Sequence, residues 1–130
     1  MKNKLLYVIL LLVISLYNAI SADTPLPEPT QRPDASYRLF RTTNIWTFIK
    51  LDTRDGRMWQ VQYAVQSNNR GSVILNEQPL IDSKNRISGR FTLYPTSNLF
   101  NFILLDQVDG RTWQVQWSVE DSLRAVIQIK

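Results

Sequence analysis

The sequence predicts an all-β protein: two tandem antiparallel meanders of about four strands each, packed as a small sandwich or barrel-like domain. Three observations point there. Positions 44–66 recur at 98–120 with 13 identities among 23 residues, an offset of 54, and a tandem copy of that length is one supersecondary unit used twice. Within each copy, runs rich in Ile, Phe, Trp and Val are broken by Asp-Gly and Asn-containing stretches, the pattern of short strands and tight turns. No stretch after residue 36 sustains the apolar spacing of an amphipathic helix.

In chain order, the first copy reads as a strand at Tyr37 to Arg41, a turn at Thr42 to Asn44, and a second strand at Ile45 to Asp52. Thr53-Arg54-Asp55-Gly56 closes a hairpin, because Gly56 tolerates the positive φ that such a loop demands and Asp52 and Asp55 accept its N–H groups. A third strand runs from Arg57 to Gln66; Asn68, Asn69 and Gly71 turn the chain, and Ser72 to Leu75 supply a fourth strand. The second copy repeats this order, with Asp106, Asp109 and Gly110 at the corresponding turn, and ends on a strand at Leu123 to Ile129. The repeats are placed at 37–76 and 91–130, in one domain over 37–130, with a linker at 77–90 that is irregular or holds a helical turn.

Ahead of the domain, Lys2 and Lys4 precede an apolar run from Leu5 to Leu16, and small residues follow at Ala19, Ser21 and Ala22. As a helix that run spans about 18 Å, too short for a hydrocarbon core of roughly 30 Å, so residues 1–22 read as an export signal cut after Ala22 rather than a membrane span. Residues 23–36 hold four of the six prolines and read as an extended tether. With no cysteine for a lipid anchor or disulfides and no glycosylation sequon after the signal, the sequence suggests a periplasmic or extracellular protein of a Gram-negative bacterium.

Composition excludes much chemistry. The chain has no His and no Cys, which removes Ser-His and Cys-His nucleophile pairs and the usual zinc, haem and iron–sulfur ligands. Without Lys2 and Lys4 the charge is thirteen cations against eleven acids, or +2, too weak and too dispersed for nucleic-acid binding. No catalytic residue, metal ligand or cofactor is expected. Asp52 with Asp55, and Asp106 with Asp109, are too sparse for a calcium loop; they read as turn caps paired with Arg57 and Arg111, and Asp52→Ala and Asp106→Ala as modest stability variants.

A four-residue loop places Asp52 opposite Arg57, Lys50 opposite Trp59, Phe48 opposite Val61 and Trp46 opposite Tyr63. One hairpin face is then aromatic, with Trp46, Phe48 and Trp59 in the first copy and Phe102, Trp113 and Trp117 in the second. These six are the expected core, the two copies packing through their aromatic faces about a pseudo-twofold axis. The opposite faces carry Ile45, Ile49 and Leu51 beside Gln60 and Gln62, and Leu99, Ile103 and Leu105 beside Gln114 and Gln116. A two-layer sandwich covers one face of each sheet, so part of this surface needs the linker, through Pro79, Leu80 and Ile81, or another molecule. The candidate binding surface is therefore Gln60, Gln62, Gln114, Gln116, Leu99, Ile103 and Leu105, with Arg57 and Arg111.

The pattern Leu-Asp-x-x-Asp-Gly-Arg-x-Trp-Gln-Val-Gln, at Leu51 to Gln62 and Leu105 to Gln116, resembles a family of small exported Bacteroidota proteins that carry two such units and have no assigned activity. The resemblance brings no catalytic residue. The shorter Leu-Asp-x-x-x-Gly-Arg portion is similar to hairpins in blades of quinoprotein-type β-propellers, although Trp stands one position closer to Gly here. The expected function is a non-enzymatic interaction or assembly protein of the envelope or secretome, binding a protein partner or itself through its sheet surface. The alternative is a lectin-like glycan-binding module that uses the aromatics with Gln, Asp and Arg, its two units standing as propeller blades completed by oligomerisation.

Overall fold

The computed structural model describes residues 29–130. Residues 1–22, read above as an export signal, and the first part of the expected tether lie outside the described residues. Eight strands form two four-stranded antiparallel meanders: β1 (Tyr37–Arg41), β2 (Thr47–Asp52), β3 (Met58–Gln62) and β4 (Gly71–Asn76) in one sheet; β5 (Phe91–Pro95), β6 (Asn101–Asp106), β7 (Thr112–Gln116) and β8 (Ala125–Ile129) in the other. The described residues hold no α-helix, only single 3-10 turns at Ser67–Asn69, Ser83–Asn85 and Asp121–Leu123.

The hairpin register is the one the loop length dictates. Lys50 faces Trp59 and Phe48 faces Val61, and in the second sheet Leu104 faces Trp113 and Phe102 faces Val115. The Asp52 N–H donates to the Arg57 carbonyl at 2.8 Å and the Gly56 N–H to the Asp52 carbonyl at 3.0 Å. Gly56 and Gly110 stand at φ 81° and 79°, where a Cβ would meet left-handed strain.

Some strands are shorter than expected, for local reasons. β2 starts at Thr47 because the Asn44 side chain accepts the Trp46 N–H at 2.8 Å and Thr42 Oγ1 donates to the Thr47 carbonyl at 2.8 Å. That Asx turn ends the regular strand before Trp46, whose carbonyl still accepts the Tyr63 N–H at 3.0 Å. β3 stops at Gln62, beyond which Arg70 donates to the carbonyls of Ala64 and Val65, both at 2.9 Å; Arg124 does the same for Ser118 and Val119 beyond β7 at 2.9 and 3.1 Å, and β8 starts at Ala125 because the Leu123 and Arg124 N–H groups donate to the Glu120 and Asp121 carbonyls of the 3-10 turn. The tether is shorter too. The compact unit runs from Gln31 to Lys130, because Gln31 bonds Leu39 and Arg38, and Thr53 donates to the carbonyls of Ala35 and Ser36.

The sheets do not pack through both aromatic faces. The first buries Ile49, Leu51 and Met58; the second buries Phe91, Leu93, Phe102, Leu104, Trp113, Val115 and Trp117. Positions 54 apart therefore point to opposite sides of the interface, and the sheets stack face to back. Lys50 is the physical reason. It stands on the aromatic face of the first sheet where the second has Leu104, and burying its ammonium unpaired is costly. The first sheet turns that face outward, with the Lys50 Nζ 4.7 Å from the Trp59 ring centroid, and buries its uncharged one. Trp46 is consequently 42% exposed and Phe48 and Trp59 half-buried, which corrects their assignment to the core.

Candidate interaction surface

The turn residues make two ion-pair clusters. Asp52 is fully buried and receives the Arg54 Nε and Nη2 at 2.9 and 2.7 Å, with Arg57 at 3.4 Å and Arg86 at 3.5 Å. Asp55 pairs with Arg57 at 3.1 Å and with Arg86 at 2.9 Å. In the second unit Asp106 is fully buried against Arg90, with the Nη2 at 2.8 Å, while Asp109 pairs with Arg111 at 2.8 Å and Arg90 at 3.3 Å. Arg90, itself buried, also donates to the Asn85 carbonyl at 3.0 Å. Asp106 is thus the anion of a buried pair, and the expectation of a modest Asp106→Ala variant is corrected accordingly. Arg54, Arg86 and Arg90 were not singled out from the sequence: Ser36 stands at the position of Arg90 and Val108 at that of Arg54, so the duplication hides those two.

Both clusters neutralise carboxylates at turns. Burial pushes the Asp52 carboxyl up, but the Arg54 guanidinium, the Arg54 N–H and the charge of Arg57 outweigh it and hold Asp52 below the ordinary aspartate range. Asp109 is lowered as well, chiefly by the Arg111 N–H. Groups with a depressed native pKa contribute stability above their unfolded pKa of about 3.9 and lose it as pH falls through the native one. The melting temperature should be nearly flat from neutral pH to about pH 5 and fall below about pH 4, less steeply in Asp52→Asn. Circular dichroism melts across that range check it; a melting temperature that rises on acidification contradicts it.

The glutamine rows divide. Gln60 is buried and bonds the Ser118 backbone both ways, its amide donating to the carbonyl at 2.9 Å and its oxygen accepting the N–H at 3.0 Å. It joins the sheets and is removed from the external surface. Gln62 is exposed. Gln114, also exposed, donates to Asn101 Oδ1 at 2.8 Å, and half-buried Gln116 donates to the Leu123 carbonyl at 2.8 Å. Ile103 and Leu105 are half-buried on the outer face of the second sheet, with Leu99 61% exposed at its end and Ile127 58% exposed on β8. On the first sheet, Tyr63 and Leu39 are about half exposed beside the half-buried Trp59. Leu80 and Ile81 pack on the edge of the core and Pro79 stays exposed, so the linker covers the Asp55-Gly56 turn, through a Leu80 N–H to Asp55 carbonyl bond of 2.8 Å, and leaves both outer faces bare.

A groove of about 350 Å³ lies among Thr47, Gln60, Gln62, Asn69, Arg70 and Arg124. Its lining mixes these polar side chains with Val73 and Val119 and has no aromatic ring, so it offers a sugar hydrogen bonds without a stacking platform. Among the described residues no three acidic side chains converge as metal ligands, and no helix is long and apolar enough to cross a membrane. No protein-family model matches the chain, and neither a curated protein nor a solved structure matches it.

Proposed function

We propose that this is an exported, non-enzymatic interaction or assembly protein of a bacterial envelope or secretome, binding a protein partner or itself through its sheet surfaces. The supporting observation is that each sheet keeps an apolar face outside: Ile103, Leu105 and Ile127 on one, Phe48, Trp59 and Tyr63 on the other. Two such faces on so small a domain are an association surface by physical default. The glycan reading is weaker, because the larger groove lacks an aromatic floor, Lys50 occupies the Trp59 ring, and the smaller hollow beside Phe100 has its Trp117 buried.

Ile103→Asp is the direct test. Since Ile103 is only half-buried, the variant should keep its circular dichroism spectrum while partner binding or self-association weakens by roughly 100-fold or more. A glycan array should stay blank. An array hit abolished by Gln62→Ala, with Ile103→Asp leaving association unchanged, would favour the glycan module. Intact mass of the protein recovered outside the cytoplasm should begin at Asp23.

A further inference from the structure

We infer that a second copy of this chain is the partner, docking head to tail so that its first sheet stacks on the outer face of this chain's second sheet, in the same way that the two sheets stack within one chain. The inference deepens the sheet-face reading above and rests on it. Its basis is that core residues and polar links of the internal contact have counterparts, 54 residues away, that are wholly or partly exposed.

Internally, Ile49 and Leu51 of the first sheet share the buried core with Leu93, Trp113 and Trp117 of the second, and Gln60 bonds Ser118. Their counterparts are Ile103, Leu105 and Gln114 at one end of the molecule and Leu39, Trp59 and Tyr63 at the other, all wholly or partly exposed. The polar links have counterparts as well. Gln60 holds the Ser118 backbone; Gln114 is placed to hold that of Ala64 in the next copy. Thr43 Oγ1 donates to the Leu99 carbonyl at 3.0 Å across the sheets; Ser97 is placed to reach that of Ile45.

The linker supplies an independent line. Aligned at the same offset, 77–90 matches 23–36: Pro79-Leu80 matches Pro25-Leu26, Arg86 matches Arg32, and the acids Glu77 and Asp82 match Asp23 and Glu28. The repeat is therefore 54 residues long, at 23–76 and 77–130, and the proline-rich tether is a second version of the linker. Within the chain that linker straps the first turn. Leu80 Cδ1 lies 2.7 Å from where a Cβ on Gly56 would stand, and Arg86 pairs with Asp52 and Asp55. The second turn has no counterpart of Leu80 and Arg86: Gly110 has open space around it, and Asp109 is 37% exposed where Asp55 is buried. Arg32, 80% exposed, pairs only with its neighbour Asp34 at 2.9 Å among the ion pairs described. A second copy brings Arg32 to Asp106 and Asp109. The second turn then holds Arg90, Arg111 and the incoming Arg32 over two carboxylates, as the first holds Arg54, Arg57 and Arg86.

Lys50 tunes this contact. Its counterpart Leu104 is fully buried in the internal interface, so the contact between chains must accommodate an ammonium that the internal one does not, and it is the weaker of the two. Because the surfaces joined are different, each copy can bind one above and one below, which yields a ring if the rotation closes and a filament if it does not. Radial stacks of four-stranded sheets close at about four to eight sheets, or about two to four chains.

Light scattering and sedimentation on the exported chain test the inference, with two variants that each disable one end: Ile103→Asp on the second sheet and Tyr63→Asp on the first. Wild type should assemble with rising concentration. Each variant alone should be monomeric, and an equimolar mixture should give one-to-one dimers that grow no further, since each variant keeps the face the other has lost. Lys50→Leu should tighten assembly by roughly tenfold or more. Gln114→Arg and Leu39→Asp replace either variant that loses its native circular dichroism. A wild type that stays monomeric overturns the inference alone, leaving another protein as the partner. Dimers lost in Ile103→Asp and not restored by mixing overturn it in favour of a symmetric contact on the same face. Assembly unchanged in both variants overturns the inference and the sheet-face reading together.

Discussion

Asp106→Ala should lower stability by about 3–5 kcal/mol, because it leaves the Arg90 guanidinium buried without its main counter-charge. Arg90 donates from Nε to both Asp106 oxygens at 2.9 Å and from Nη2 at 2.8 Å, and its remaining partners are the Asn85 carbonyl and a more distant Asp109. For a domain of about this size the loss corresponds to a fall in melting temperature of at least roughly 10 °C. Asp109→Ala removes a half-exposed partner and should cost only about 0–1 kcal/mol. The double variant Arg90→Met with Asp106→Leu, which removes both charges, should recover most of the stability. Urea titrations of the four proteins measure this. A single Asp106→Ala variant no weaker than Asp109→Ala would mean that Arg90 is solvated and the buried pair does not exist.

Trp113→Ala should cost about 3–5 kcal/mol, whereas Trp59→Ala, at the matching position of the other repeat, should cost about 1–2 kcal/mol at concentrations dilute enough to keep chains apart. Trp113 is buried against Phe91, ring centroids 6.0 Å apart, while Trp59 lies half-buried under the Lys50 ammonium on an outer face. The pair is diagnostic because the flanking sequences are nearly the same. Equal costs would show that the two repeats pack alike and would restore the symmetric sandwich. At higher concentration Trp59→Ala should also weaken assembly, an effect that Trp113→Ala does not share once the fold is accounted for.

Much of the fold was legible because it is local. A hairpin is set by its own loop, so Asp52 to Arg57 fixed the pairing of Lys50 with Trp59, and the same loop repeated at Asp106 to Arg111 fixed the second. Strand ends were less legible, since side chains such as Asn44 and Arg70 compete for backbone groups that the apolar pattern assigns to the ladder. The candidate surface was legible in part. Ile103, Leu105 and Gln114 face outward as the alternation implies, but Gln60 and Gln114 occupy matching places in the two repeats and only Gln60 is buried.

The amino-acid sequence alone determined the strands, their register, the Asp-Gly turns and the presence of two apolar faces on each sheet, all properties of contiguous residues. Only the tertiary structure decided which face each sheet turns inward and which distant arginine meets each aspartate. Both faces of both hairpins are apolar enough to be buried, so alternation leaves the choice undetermined. It was settled by energies that exist only once the sheets meet: the desolvation of Lys50, which keeps one aromatic face outside, and the burial of Arg90 against Asp106, which brings the linker onto the second turn.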